Sequence, residues 1–485
     1  MHFHLVQRIL GLLLILYSST MLVPVAVSVY FADGQAPAFI GAFAIILTVG
    51  LIAWIPTRRD QRELRLRDGF LVAAVFWLAF SAFSAVPLLL TSLPQLSLAD
   101  AIFEATSGVT ATGSTILTSL DGLPASLLYY RAQLHWLGGM GIIVLAVAIL
   151  PMLGIGGMQL YRAETPGPMK DSKLTPRITE TAKALWLIYA ALTALCVGAY
   201  WSAGMSLFDA VCHGFSTVAT GGFSTHNASF GWFNSPLIEA IAIAFMFLSG
   251  TNFALHFIAW RSRGLKFYWR DPEFRTYLLL LSSATLLATV LLVAYNYYTS
   301  VGESLRYAAF HAVSLMTSSG FTATAFDQWP GALPLMMILL GFIGGCAGST
   351  AGGMKVVRWL LLFNQSRREV KRLVHPAAEI PVHLGDSVIP QRVVDAVWGF
   401  CVAYIFLFGI MLLVLVGSGL DQITAFSALA ASINNMGPGL GQVAATFTGI
   451  NDLAKWVCSL AMIFGRLEVF TLLVLFSPTF WRSYE

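Results

Sequence analysis

Charge is scarce in this sequence. Asp, Glu, Lys and Arg make up 11% of its 485 residues, against about 25% in a soluble chain, which excludes an ordinary water-soluble multidomain protein. Cysteine is scarce too. Cys196, Cys212, Cys346, Cys401 and Cys458 are scattered through apolar segments. No two stand at metal or redox spacing, and they read as small buried hydrophobes. The sequence has no P-loop or dinucleotide fingerprint, and its polar loops are too short for a nucleotide-binding domain. Nothing in it resembles a nucleophile–base or metal constellation, so an enzyme is not expected.

What the sequence has in abundance is apolar length. Hydrophobic residues make up 57% of the chain and mean hydropathy is +0.75. A span needs roughly 20 apolar residues, and ten stretches qualify. The fold class expected is an all-α polytopic membrane protein with ten transmembrane helices. The first stretch, Leu10 to Tyr30, is longer than the apolar core of a signal peptide, lacks a small-residue cleavage site, and is followed at once by Ala38 to Ile55.

Basic residues mark cytoplasmic loops. They cluster at Arg58–Arg67, Arg162–Lys183, Arg261–Arg275 and Arg367–Arg392, with Arg8 and Arg482 near the ends. The intervening loops hold only Arg131, Arg306 and Lys455, while Lys355, Arg358 and Arg466 sit in or beside apolar segments. Both termini are therefore expected in the cytoplasm, and the number of spans is even.

After two leading spans (1–69) one pattern recurs four times, over 70–160, 161–264, 265–374 and 375–485: a span, a short amphipathic segment ending at a polar turn, and a second span. The short segments read SLADAIFEATSGVTATG, SLFDAVCHGFSTVATG, SLRYAAFHAVSLMTSSG and DQITAFSALAASINNMG. They end at Gly113, Gly221, Gly320 and Gly437 and open on a helix-capping residue, Ser97, Ser206, Ser304 or Asp421. Some 10–12 helical residues cover only ~15–18 Å, too little to cross a ~30 Å core. Backbone that turns back at that depth must be buried in protein or line a water-filled cavity.

Two spans plus a returning loop give every repeat the same orientation. Four such repeats form a pseudo-fourfold ring about an axis normal to the membrane, unlike the inverted repeats of many transporters. The short helices point their C-terminal dipole ends inward, favouring a cation, and carbonyls can replace its hydration shell. One loop glycine alone reads as a turn. Four in register read as a filter, because glycine permits the backbone such carbonyls need.

The motifs Thr110-Ala111-Thr112-Gly113-Ser114, Ala219-Thr220-Gly221-Gly222-Phe223-Ser224, Ser318-Ser319-Gly320-Phe321-Thr322 and Asn434-Asn435-Met436-Gly437-Pro438-Gly439 resemble those of the Trk/Ktr/HKT family of potassium transporters. The two leading spans make the chain similar to the TrkH branch rather than to the shorter Ktr membrane subunits. The resemblance covers essentially the whole chain. It implies potassium uptake across a bacterial inner membrane, a homodimer with one pore per protomer, and a cytosolic TrkA-like ring that carries the regulatory nucleotide (ATP/ADP or NAD). No cofactor on this chain and no nucleic acid are implied. Carried over by motif, the filter residues are Thr110, Ala111, Thr112 and Gly113; Val218, Ala219, Thr220 and Gly221; Thr317, Ser318, Ser319 and Gly320; and Asn434, Asn435, Met436 and Gly437. No loop carries the Thr-Val-Gly-Tyr-Gly of tetrameric potassium channels, so a shorter, less discriminating filter is expected. In some plant relatives a first-loop serine accompanies sodium transport, and Gly113 favours potassium.

Two features suggest a gate. GGCAGSTAGG, containing Gly344, Gly345, Gly348, Gly352 and Gly353, interrupts the last span of the third repeat and cannot hold a regular helix. A small-residue packing face is the competing reading, but the run is longer than packing needs. Arg466 lies mid-span, where an arginine faces a cavity or a partner. Glu468 is too near in sequence to share its helix face. A barrier in the pore and a structural ion pair are both open for Arg466, and the resemblance implies the first. Glu104 and His311, each nine residues before a filter glycine, read as braces. His135 and His213 read as polar packing. A symporter coupled to protons or sodium is the alternative, but it needs a titratable group in the pathway, and no carboxylate pair is evident.

Overall fold

The structure is a computed structural model and describes residues 3–59, 66–144, 178–467 and 469–481. The boundary between the first two repeats, the basic residues Arg162, Lys170, Lys173 and Arg177, and Glu468 all lie outside those residues.

Helices α1 (Phe3–Ser19), α2 (Leu22–Phe31) and α3 (Ala36–Trp54) form the leading pair of spans. The first repeat comprises α4 (Leu66–Leu90), α5 (Leu98–Val109) and α6 (Ala125–Val144). The second comprises α7 (Ile178–Ser202), α8 (Leu207–Val218), α9 (Pro236–Ser249) and α10 (Phe253–Ser262), and α11 (Lys266–Arg270) links it to the third. The third comprises α12 (Pro272–Ala294), α13 (Val301–Met316), α14 (Leu333–Ile343) and α15 (Val356–Val374). A hairpin, β1 (Val382–Leu384) and β2 (Ser387–Ile389), pairs antiparallel with Val382 opposite Ile389. It is a small departure from the all-α expectation. The fourth repeat comprises α16 (Gln391–Gly417), α17 (Gln422–Ile433), α18 (Asp452–Arg466) and α19 (Phe470–Phe476), and α20 (Pro478–Trp481) follows.

Among the described residues six helices are long and apolar enough to cross a membrane, or seven if one bent pair counts as a span. Of the other stretches expected to span, the one over 134–153 runs beyond the described residues at 144, and three are interrupted. The run from Leu237 to Trp260, expected as one helix, bends by 94° between α9 and α10. Gly250 closes α9, and the Asn252 side chain caps α10 by accepting from Ala254 N–H at 2.8 Å. The last spans of the third and fourth repeats are also broken, at 344–355 and between the helices that end at Arg466 and begin at Phe470.

The short helices start at side-chain caps. Ser97, Ser206 and Asp421 accept from the N–H three residues on, satisfying an otherwise orphan donor. The third departs from expectation. Ser300, not Ser304, caps α13, because Ser300-Val-Gly-Glu303 offers a capping box one turn earlier. Each short helix packs on the first helix of its own repeat and on the last helices of the repeat before it. Thus α6 meets α8, α9 meets α13, α14 meets α17, and α18 returns to α5. The four repeats close into a ring. The ring's outside is apolar: on α16, Val402, Ile405, Phe406 and Leu413 are exposed, while Phe400, Tyr404, Met411 and Leu415 are buried.

Candidate functional site

All four short helices end the same way. The first residue past the cap adopts the left-handed region: Ala111 (φ 51), Thr220 (φ 53), Ser318 (φ 57) and Asn435 (φ 51). The next N–H reaches back five residues, from Thr112 to Ser107, Gly221 to Ser216, Ser319 to Ser314 and Met436 to Ala431, each at 2.8 Å. This is a Schellman ending built without glycine at the position that usually demands it, a strain of the kind that collects at functional sites. A glycine with positive φ comes two residues later: Gly113 (86), Gly222 (90), Gly320 (70) and Gly437 (92).

The second loop is therefore shifted by one residue from the expected register. Gly222, not Gly221, matches the other three glycines, and Val218 is the last helical residue, equivalent to Val109, Met316 and Ile433. The equivalent stretches are 110–113, 219–222, 317–320 and 434–437. The sequence carried the signal. Ser206 and Ala210 precede Gly222 by the same intervals that separate Ser97 and Ala101 from Gly113. Gly221 has a different constraint, since a Cβ there would run into the His135 ring.

The four glycines touch in a cycle. A Cβ on Gly113 would collide with the Gly221 carbonyl, one on Gly222 with Ser319 O, one on Gly320 with Met436 O, and one on Gly437 would stand 3.0 Å from Thr112 O. Each loop thus lays its glycine against the carbonyl just before the next loop's glycine, and the fourth closes on the first. Ser114 Oγ adds a bond to Gly437 O at 2.8 Å. On the side where the chain leaves the glycines, a cavity of ≈ 530 Å³ is lined by Gly113, Gly222, Gly320, Gly437 and the segments that follow them. The ring is floored by carbonyls and helix C-termini, a set of partial negative charges suited to a desolvated monovalent cation. Among the described residues no group of three or more His, Cys, Asp or Glu is arranged to hold a metal ion.

The residue nine before each glycine braces the chain beyond it. Glu104 accepts from Ile116 N–H (2.9 Å) and from the Thr115 hydroxyl (3.0 Å). His213 Nε2 meets Ser224 Oγ at 2.9 Å, and His311 Nε2 meets Thr324 O at 3.2 Å. His213 joins this set only in the corrected register. In the fourth repeat that position is Ala428, and neighbouring Ser427 substitutes, accepting from Leu440 N–H at 2.8 Å. Sequence reasoning placed Arg131 in a loop. It lies inside α6, 1% exposed, with Nε 2.8 Å from Glu104 Oε1, Nη1 3.2 Å from Ser224 O and its guanidinium 4.0 Å above the Phe223 ring. It ties the first two loops together. Arg306 (to Glu239, 2.6 Å) and Lys455 (to Asp100, 2.7 Å), also assigned to loops, pair between adjacent repeats.

Residues 344–355 form an irregular strap at the opposite side of the glycine ring. Cys346 N–H donates to Gly250 O at the α9–α10 bend (2.8 Å), and Ala347 N–H to Glu273 Oε1 (2.7 Å). Higher up, Gly352 N–H donates to Ser318 Oγ (2.5 Å) and Gly353 N–H to Asn434 O (3.1 Å). All five glycines singled out from the sequence lie in this strap, and Gly344 (φ 75), Gly348 (φ 69) and Gly353 (φ 76) need the left-handed region. A Cβ on Gly352 would strike Asn434 O. Arg466, 6% exposed, donates from Nη1 to Thr350 O of the strap (3.1 Å) and from Nη2 to Gly138 O (3.4 Å). Its bonds run to carbonyls, and no acid stands within ion-pair distance of it among the described residues. A cavity of ≈ 60 Å³ opens between Arg466, Lys355, Arg358, Asn435 and Gly352.

A family model described as TrkH, cation transport protein, matches residues 35–483. The chain is 53% identical over 485 residues to the Trk system potassium uptake protein TrkH of Vibrio parahaemolyticus, with 100% of both chains covered. It is 51% identical over 483 residues to TrkH of Escherichia coli K12, again with 100% of both covered, and 42% identical over 482 residues to that organism's TrkG, with 99% of both covered. The crystal structure of the potassium transporter TrkH from Vibrio parahaemolyticus superposes with a TM-score of 0.93 at 50% identity, covering 99% of this chain and 100% of that one.

Proposed function

This chain belongs to the TrkH family of cation transport proteins, and on that premise we propose that it is a potassium-uptake subunit conducting the ion through the ring of four loops. It is a transporter and not an enzyme. The observation that carries the reading is the cycle in which Gly113, Gly222, Gly320 and Gly437 each abut the next loop's carbonyl. Such packing lets four backbones approach closely enough for their carbonyls to replace an ion's water. The filter residues are those of 110–113, 219–222, 317–320 and 434–437. With one glycine layer per repeat the filter is short, and discrimination against sodium is moderate.

Closure falls to the strap and to Arg466. A fixed unit charge roughly 6 Å from the ion, at an effective dielectric of about 20, opposes it by about 3 kcal/mol, near 100-fold in rate. The polypeptide is multi-pass, sits in the bacterial inner membrane with both termini and the basic loops in the cytoplasm, forms ten transmembrane helices, and works as a homodimer gated by a cytosolic TrkA-like ring carrying the nucleotide. The names of the Trk-system relatives and the lack of a nucleotide fingerprint in this sequence support that division of labour.

The test is electrophysiology in reconstituted bilayers. Reversal potentials should follow the potassium gradient and ignore pH. A reversal potential that tracks the proton or sodium gradient instead would establish coupled transport and overturn the channel reading. Arg466→Ala should raise flux at least tenfold, and unchanged flux would remove the arginine from the barrier.

A further inference from the structure

The strap does more than lie beneath the filter: it is hydrogen-bonded to it at three places. Gly352 N–H donates to Ser318 Oγ, Gly353 N–H donates to Asn434 O, and Thr350 Oγ1 stands 3.0 Å from Val218 O and 3.2 Å from Ser249 O. Two of these acceptors are backbone carbonyls, that of Val218 at the end of α8 just before the second loop and that of Asn434 at the start of the fourth. The third is the side chain of the left-handed residue in the third loop.

The four left-handed positions can be compared directly. Ala111 has no hydroxyl. Thr220 Oγ1 turns back to Ala219 O (2.7 Å). Asn435 Nδ2 reaches Thr112 Oγ1 (2.9 Å) and Met462 O (3.0 Å). Among the four, Ser318 alone spends its side chain on the strap. It is 1% exposed, so removing its hydroxyl would leave the Gly352 N–H, a buried donor, without an acceptor, which costs more than the bond itself is worth. The fit also depends on Gly352, where a Cβ would stand 3.1 Å from Ser318 Oγ and closer still to Asn434 O.

We propose that the strap and the inner end of the filter form one coupled switch, with Ser318 as the positioning residue that joins them. While the strap is seated, its N–H and hydroxyl groups hold the Val218 and Asn434 carbonyls and the third loop in fixed orientation. When the strap leaves, those carbonyls lose their partners and turn toward the pathway. A pore that conducts with these bonds broken therefore discriminates potassium from sodium less sharply than one that conducts with them intact, and selectivity becomes a function of strap position. This rests on the strap being the gate.

The test is to record full-length Ser318→Ala, Ser318→Thr, Thr350→Val and Arg466→Ala proteins in planar bilayers, reading both potassium flux and the potassium-to-sodium permeability ratio. Ser318→Ala should raise flux roughly fivefold, the equivalent of one buried hydrogen bond, and should lower the permeability ratio. Ser318→Thr keeps the hydroxyl and should restore both. Thr350→Val, outside the filter, should move both readouts the same way and serves if Ser318→Ala does not fold. Arg466→Ala combined with Ser318→Ala should give less than the product of the single effects, since both empty the same seated state. Flux raised by Ser318→Ala and Thr350→Val at an unchanged permeability ratio overturns the coupling and leaves the gate standing. No rise in either variant, with Arg466→Ala still raising flux, removes these bonds from the opening path. No rise in any variant overturns the gate itself.

Discussion

Arg131 and Glu104 place opposite charges behind the first loop, each 1% exposed. Removing one partner of such a pair costs about 3–5 kcal/mol, because a charge is left buried. Arg131→Met should therefore lower the thermal unfolding midpoint in detergent sharply, and the double replacement Arg131→Met with Glu104→Gln should cost less than Arg131→Met alone. Calorimetry or a thermal-shift series on the purified protein checks this. The two glycines of the second loop make a second residue-scale prediction. Both Gly221→Ala and Gly222→Ala should abolish flux, the first through the His135 ring and the second through Ser319 O. Adding His135→Ala should recover flux for Gly221→Ala and not for Gly222→Ala. The glycine doublet is also where the sequence misled. Two adjacent glycines look interchangeable in a string, and only the fixed interval from Ser206 and Ala210 separates them. Arg131 misled for a different reason: a lone cation near a turn reads as a loop residue until a distant glutamate is brought to it by the fold.

At the level of elements, caps and breaks show what a linear reading captures. The strap was legible because ten residues with five glycines cannot be helix. The bend at 250–252 was passed over although Ser249-Gly250-Thr251-Asn252 interrupts the apolar run, because the apolar length on its two sides adds up to one span, and the 94° turn is fixed by Asn252 and by the strap docking on Gly250 O. The third short helix likewise begins a turn before the expected Ser304. Ser300→Ala should cost about 1 kcal/mol, measured as a lower unfolding midpoint. Ser304→Ala should cost less, since its hydroxyl only doubles a bond to Ser300 O at 3.1 Å.

For the whole molecule, four like-patterned segments lead to the expectation of a ring, and the contacts among the described helices close one. What no local pattern announced is that each repeat's last helices wall the next repeat's short helix, since the contact joins helices whose centres lie roughly 65–90 positions apart in three cases and roughly 350 in the fourth. Lys455 on α18 and Asp100 on α5 form that fourth seam at 2.7 Å. Lys455→Met should weaken it, seen as a lower thermal unfolding midpoint in detergent.

The same seam sets a timetable for synthesis. A chain made from its N-terminus inserts α5 at once, but the wall that α5 needs arrives only with α18, some 350 residues later. At roughly 5–20 residues per second the first loop must wait about 20–70 seconds at the ribosome, half-buried and polar, before its last neighbour emerges. The first repeat is thus the first of the four to be made and the last to be completed. A nascent chain halted before residue 452 carries an open flank that lipid cannot satisfy, and that flank is where quality control would find it.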